Sequence, residues 1–108
     1  MTELSILDAV GGNVRLLARV RDAFVLQTPR LLAAIREAID DRNPDAIARD
    51  AHTLKGAMSN FTMSDAQTIA AEIEQAGKDG NYARAAELLP RLEAAAADLG
   101  KKIDAALG

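Results

Sequence analysis

Residues 43–61 read Asn-Pro-Asp-Ala-Ile-Ala-Arg-Asp-Ala-His-Thr-Leu-Lys-Gly-Ala-Met-Ser-Asn-Phe. The stretch begins as a helix begins. Asn43 can cap free backbone amides, Pro44 suits the first helical position, where no N–H is needed, and Asp45 sits near the positive end of the helix dipole. Ile47, Ala51, Leu54, Met58 and Phe61 then recur at spacings of three and four. That periodicity predicts an amphipathic helix to about Asn60, with these five side chains turned toward a core.

The same spacing extends outward on both sides, broken by turn-forming residues. Upstream, Asn13 is placed to cap a long helix to about Asp40, with Leu16, Leu17, Val20, Phe24, Leu31, Ile35 and Ile39 as its apolar residues. Pro29 removes one backbone bond inside it. The apolar phase continues past Pro29, so one kinked helix is expected rather than two. A short helix over Glu3 to Val10 is expected before Gly11-Gly12-Asn13. Downstream, Thr62 or Ser64 can cap a helix ending at Gly77, with Ile69, Ile73 and several alanines inward. Asn81 can cap the last helix, with Leu88, Leu92, Leu99, Ile103 and Leu107 on one face and Pro90 as a bend. Short links favour antiparallel neighbours. The expectation is one all-α domain over residues 1–108: an up-down-up-down antiparallel four-helix bundle with a short extra N-terminal helix.

Composition agrees. Ala (23) and Leu (13) make a third of the 108 residues, and both are strong helix formers. Sixteen acids against thirteen bases argue against a nucleic-acid binder, whose affinity rests on neutralising phosphates. The absence of cysteine excludes thiol catalysis and Cys-ligated zinc or iron–sulfur centres. No apolar run approaches the ~20 residues that span a bilayer. MTELSILDAVGGN lacks the basic region and apolar stretch of a signal peptide, so a cytoplasmic protein is expected.

The chain holds one histidine, His52. At ~100° per residue it lies roughly 140° from the centre of the apolar stripe, so its ring is expected to face water. Its neighbours at three and four residues are Ala48 and Arg49 on one side and Lys55 and Gly56 on the other, with Ser59 one turn further. Arg49 and Lys55 flank the ring with positive charge, which favours the neutral, nucleophilic imidazole. Ala48, Gly56 and Ser59 leave the surroundings low. A glycine inside a helix costs about 1 kcal/mol against alanine, and an exposed Gly56 has no packing reason to be there. A ring nitrogen that accepts a phosphoryl group would use both features: room for in-line approach and a cation for the added charge.

Ala51 to Phe61, AHTLKGAMSNF, resembles the His-x-Leu-Lys-Gly signature of histidine-containing phosphotransfer (HPt) domains. Ile73-Glu74 followed by Gly77-Lys78-Asp79-Gly80-Asn81 is similar to that family's Leu-Glu, Gly-Arg, Gly-Asp stretch, and Leu16 to Ala38, with Phe24 and Pro29, to its long preceding helix. The resemblance implies a stand-alone, single-domain phosphocarrier of a two-component phosphorelay, without ATP-dependent autokinase activity. His52 would take a phosphoryl group from a receiver-domain aspartate and pass it to another receiver. Lys55 would steady the phosphoryl group, Gly56 would clear the site, and Leu54 would anchor the helix. Ala48, Arg49 and Ser59 would contribute to partner binding. The partners implied are receiver domains of response regulators or hybrid histidine kinases, with no nucleic acid and no membrane, and the protein is expected to be a monomer. No intrinsic cofactor or metal is implied, since Mg²⁺ would come from the receiver. One departure is Thr62, where the family commonly has glycine. A changed loop with an intact site is expected there.

Other classes fit less well. Histidine kinase dimerisation domains typically carry an acid directly after the histidine, and here Thr53 follows. Gly11-Gly12-Asn13 is too short for a phosphate loop and lacks its lysine. A catalytic triad would need a second placed base and nucleophile, and no acid is expected on the face shared by His52 and Ser59 at the right spacing. The competing class is a non-catalytic helical interaction module with an incidental surface histidine.

Overall fold

The computed structural model describes residues 10–59 and 65–108. Four helices follow in order: α1 (Val14–Asp40), α2 (Pro44–Met58), α3 (Asp65–Lys78) and α4 (Tyr82–Leu107). Each packs against the next, and α4 returns to α1. Contacts between low and high residue numbers show antiparallel neighbours: Arg21 pairs with Asp104 and Arg36 with Glu93 across α1 and α4. The bundle is a rod of 41 × 22 × 18 Å.

The three expected asparagine caps form. The side chains of Asn13, Asn43 and Asn81 accept from the amides of Leu16, Ala46 and Arg84 at 3.0–3.1 Å. Two of these asparagines follow a left-handed turn that closes the preceding helix. Asn43 N–H donates to Ala38 O (2.9 Å) and Arg42 N–H to Ile39 O (3.1 Å), with Arg42 at φ 52°. Asn81 N–H donates to Ala76 O (2.8 Å) and Gly80 N–H to Gly77 O (3.1 Å), with Gly80 at φ 66°. Both have the hydrogen-bond pattern of a Schellman motif. In each case one asparagine ends one helix and caps the next, which explains why these links are so short.

The core takes Ile47, Ala51, Leu54 and Met58 from α2, Ile69 and Ile73 from α3, Leu88, Leu92, Leu99 and Ile103 from α4, and Leu17, Phe24, Ile35 and Ile39 from α1. Pro29 and Pro90 lie inside continuous helices. Leu16 departs from expectation: it is exposed, because its neighbour Leu17 takes the inward direction and successive helical residues diverge by about 100°. Val20, Leu31 and Leu107 are half-buried at the edge of the core. Gly77 also departs. Rather than stopping α3, it is a buried residue of its last turn, and the left-handed stop lies at Gly80. Glu3 to Ala9 of the expected short helix, Phe61, and the candidate caps Thr62 and Ser64 lie outside the described residues. Val10 is a half-buried turn residue.

Candidate functional site

His52 stands on the outer side of α2 where α2 meets α3, its side chain 66% exposed. The core stripe of α2 is fully buried, so the helix is held at the azimuth its apolar spacing demands. Gly56 is exposed, and a Cβ there would meet nothing within 4 Å. Packing against the bundle therefore does not require a glycine at this position. Ala48, one turn before His52, is half-buried, and Arg49 and Ser59 are exposed.

The two residues expected to flank the ring with positive charge are both engaged in ion pairs. Lys55 Nζ lies 2.9 Å from Glu74 Oε1, and Arg49 Nε 3.1 Å from Asp50 Oδ1. Both cations are paired with carboxylates. The Ser59 hydroxyl donates to Gly56 O at 2.7 Å, and its amide closes the end of α2.

Glu74, on α3, is the residue that helix-by-helix reasoning missed. An acid does share the histidine's surroundings, but it comes from the neighbouring helix. His52 Nδ1 lies 3.2 Å from Glu74 Oε2 and 3.3 Å from Oε1. Lys78, one turn along α3, reaches Oε2 at 3.2 Å. The Glu74 side chain is only 12% exposed. Three basic groups thus converge on one carboxylate. The hydrogen bond from Lys55, above all, holds it well below the usual carboxylate range, at about 2.

Gly77 explains how Glu74 comes so close. A Cβ at Gly77 would lie 2.8 Å from Ile47 Cγ2 and 2.9 Å from the Ala48 backbone nitrogen. Only a glycine permits this approach of α3 to α2. The contact point is one turn from both His52 and Glu74, so it sets their spacing.

The geometry has one chemical consequence. A carboxylate only accepts, so Nδ1 is the donating nitrogen and a neutral ring carries its lone pair on Nε2. The Nε2 lone pair is thus left outside the Glu74 contact, on a largely exposed ring. Among the described residues, no three His, Asp or Glu side chains gather as metal ligands would, and no helix is long and apolar enough to cross a membrane.

No curated protein and no solved structure matches the chain. The family model described as Hpt domain matches residues 19–102, which takes in most of α1, all of α2 and α3, and α4 as far as Lys102. The chain belongs to the Hpt domain family, whose members carry phosphoryl groups on histidine in phosphorelays and have no catalytic activity of their own.

Proposed function

We propose that His52 is the phosphoryl-accepting residue and that the protein shuttles a phosphoryl group between receiver-domain aspartates. The observation that carries this reading is the exposed ring whose Nδ1 faces Glu74, which leaves Nε2 free. In the forward step the Nε2 lone pair attacks phosphorus in line. The P–O bond to the receiver's aspartate breaks, and its electron pair leaves on that carboxylate. The Nδ1 proton stays on the ring, which becomes a phosphoimidazolium facing Glu74. The reverse step returns the phosphoryl group to a second receiver.

Each neighbour has a role in this scheme. Glu74 is a positioning residue that orients the ring and offsets its new positive charge. Lys55 turns its ammonium to the phosphoryl oxygens, where negative charge accumulates. Gly56 keeps the approach to Nε2 open. Ala48, Arg49 and Ser59 form the surrounding docking surface for a receiver of a response regulator or hybrid kinase. Mg²⁺ belongs to the receiver's acidic pocket. A monomeric, cytoplasmic carrier suits this exchange.

The test is incubation with a receiver-domain protein and acetyl phosphate. Acid-labile, base-stable phosphate on His52 supports the carrier. A protein that binds receivers and never becomes phosphorylated is an interaction module.

A further inference from the structure

Glu74 has a cation on each carboxylate oxygen, and the two have different origins. Lys55 reaches Oε1 from α2 at 2.9 Å, while Lys78 reaches Oε2 from α3 itself at 3.2 Å. The proposed chemistry assigns Lys55 a second partner, the phosphoryl group on the neighbouring ring. That group brings about two negative charges at neutral pH, as phosphate monoesters do. Turning toward it weakens the hold of Lys55 on Glu74 just when the ring becomes positive and needs an ionised carboxylate at Nδ1. Lys78 has no such competing demand. It lies four residues after Glu74 on the same helix, in the favourable order for an acid–base pair. Its contact does not depend on the position of α2, and its side chain is 58% exposed, so it can shift with the carboxylate.

Building on the carrier reading, we infer that Lys78 is a positioning residue of the phosphorylated state, which keeps Glu74 in place at Nδ1 when Lys55 moves to the phosphoryl group. The competing arrangement is a Lys55 ammonium that holds Glu74 and the phosphoryl oxygens at once. In that arrangement Lys78 is dispensable.

The two are separated by phosphorylating the isolated protein with phosphoramidate, as wild type, Lys78→Met and Lys78→Arg. The ¹⁵N resonance of His52 Nδ1 is followed before and after, together with the equilibrium share of phosphohistidine against a receiver domain. Lys78→Met is expected to leave the unphosphorylated Nδ1 resonance near its wild-type position, because Lys55 still holds Glu74. The same variant is expected to displace that resonance in the phosphorylated form. It should also lower the phosphohistidine share about two- to fivefold at low salt, the size of an exposed ion pair. Lys78→Arg should restore both. A phosphorylated Lys78→Met protein with wild-type resonance and wild-type share overturns the inference, as does a variant in which only receiver affinity changes. A wild-type protein that accepts no phosphate overturns the carrier reading on which the inference rests, and is told apart by the missing phosphate itself.

Discussion

Glu74 of α3 sets its Oε2 3.2 Å from Nδ1 of His52 on α2, across 22 residues of chain and a helix–helix boundary. The contact joins the folding of the bundle to the chemistry of the ring. It exists because the core stripes of two helices fix their azimuths and Gly77 lets them approach.

A pH dependence follows from this carboxylate. In the folded protein Glu74 titrates at about 2, below its ordinary 4.5. A group whose acidity is strengthened by folding stabilises the fold above its unfolded value and loses that contribution as pH falls toward its folded one. Glu74→Gln should therefore be less stable than wild type at neutral pH. The gap should narrow between pH about 4.5 and about 2. Urea denaturation of both proteins across that range checks it. A gap independent of pH contradicts the ion-pair origin.

Two helical glycines should respond to alanine in opposite directions. At Gly56 a Cβ meets nothing within 4 Å, so Gly56→Ala should stabilise by up to about 1 kcal/mol through helix propensity. At Gly77 the Cβ meets backbone at 2.9 Å, so Gly77→Ala should destabilise by about 1–3 kcal/mol through overpacking and slow transfer by displacing Glu74. Gly56→Leu should keep its circular dichroism and slow transfer, because its side chain leans toward the preceding turn, where His52 lies. Wild-type rates in folded Gly56→Leu contradict the clearance role.

Leu54 is fully buried two residues from the ring. Leu54→Ala should cost about 2–5 kcal/mol in chemical denaturation, from lost burial and a residual cavity. A near-neutral result would mean that α2 is rotated, and with it the exposure of His52.

Arg42 holds a left-handed conformation, φ 52°, at the turn between α1 and α2. A side chain costs roughly 1–2 kcal/mol there, and glycine is the usual occupant of this position in a Schellman turn. Arg42→Gly should raise the urea midpoint without affecting transfer. A lowered midpoint would point to a contact made by the arginine side chain.

The parts of the fold legible in the sequence were those set by local rules. Asn13, Asn43 and Asn81 announce their helices by side-chain chemistry. The apolar spacing carries α1 through Pro29, and the wheel of α2 places His52 outside. What stayed hidden depends on the relation between helices. Ile73-Glu74 could be placed at the edge of α3's apolar face. A wheel does not say which neighbour that edge meets, so neither the His52 contact nor the engagement of Lys55 was visible. Gly77 reads as a stop signal in sequence because glycine ends helices as readily as it lets them touch. Only the proximity of Ile47 and Ala48 distinguishes the two. Leu16 and Leu17 are equivalent as letters and differ only in which one the bundle turns inward.

The most direct measurement is mapping of the phosphate after incubation with a phosphorylated receiver, for wild type and His52→Gln, with urea denaturation of both. The account predicts acid-labile phosphate on His52 Nε2 in wild type and none in the variant. Stabilities should agree within about 0.5 kcal/mol, as for an exposed position. Phosphate retained by His52→Gln, or its absence from wild type beside a competent receiver, would contradict the central claim.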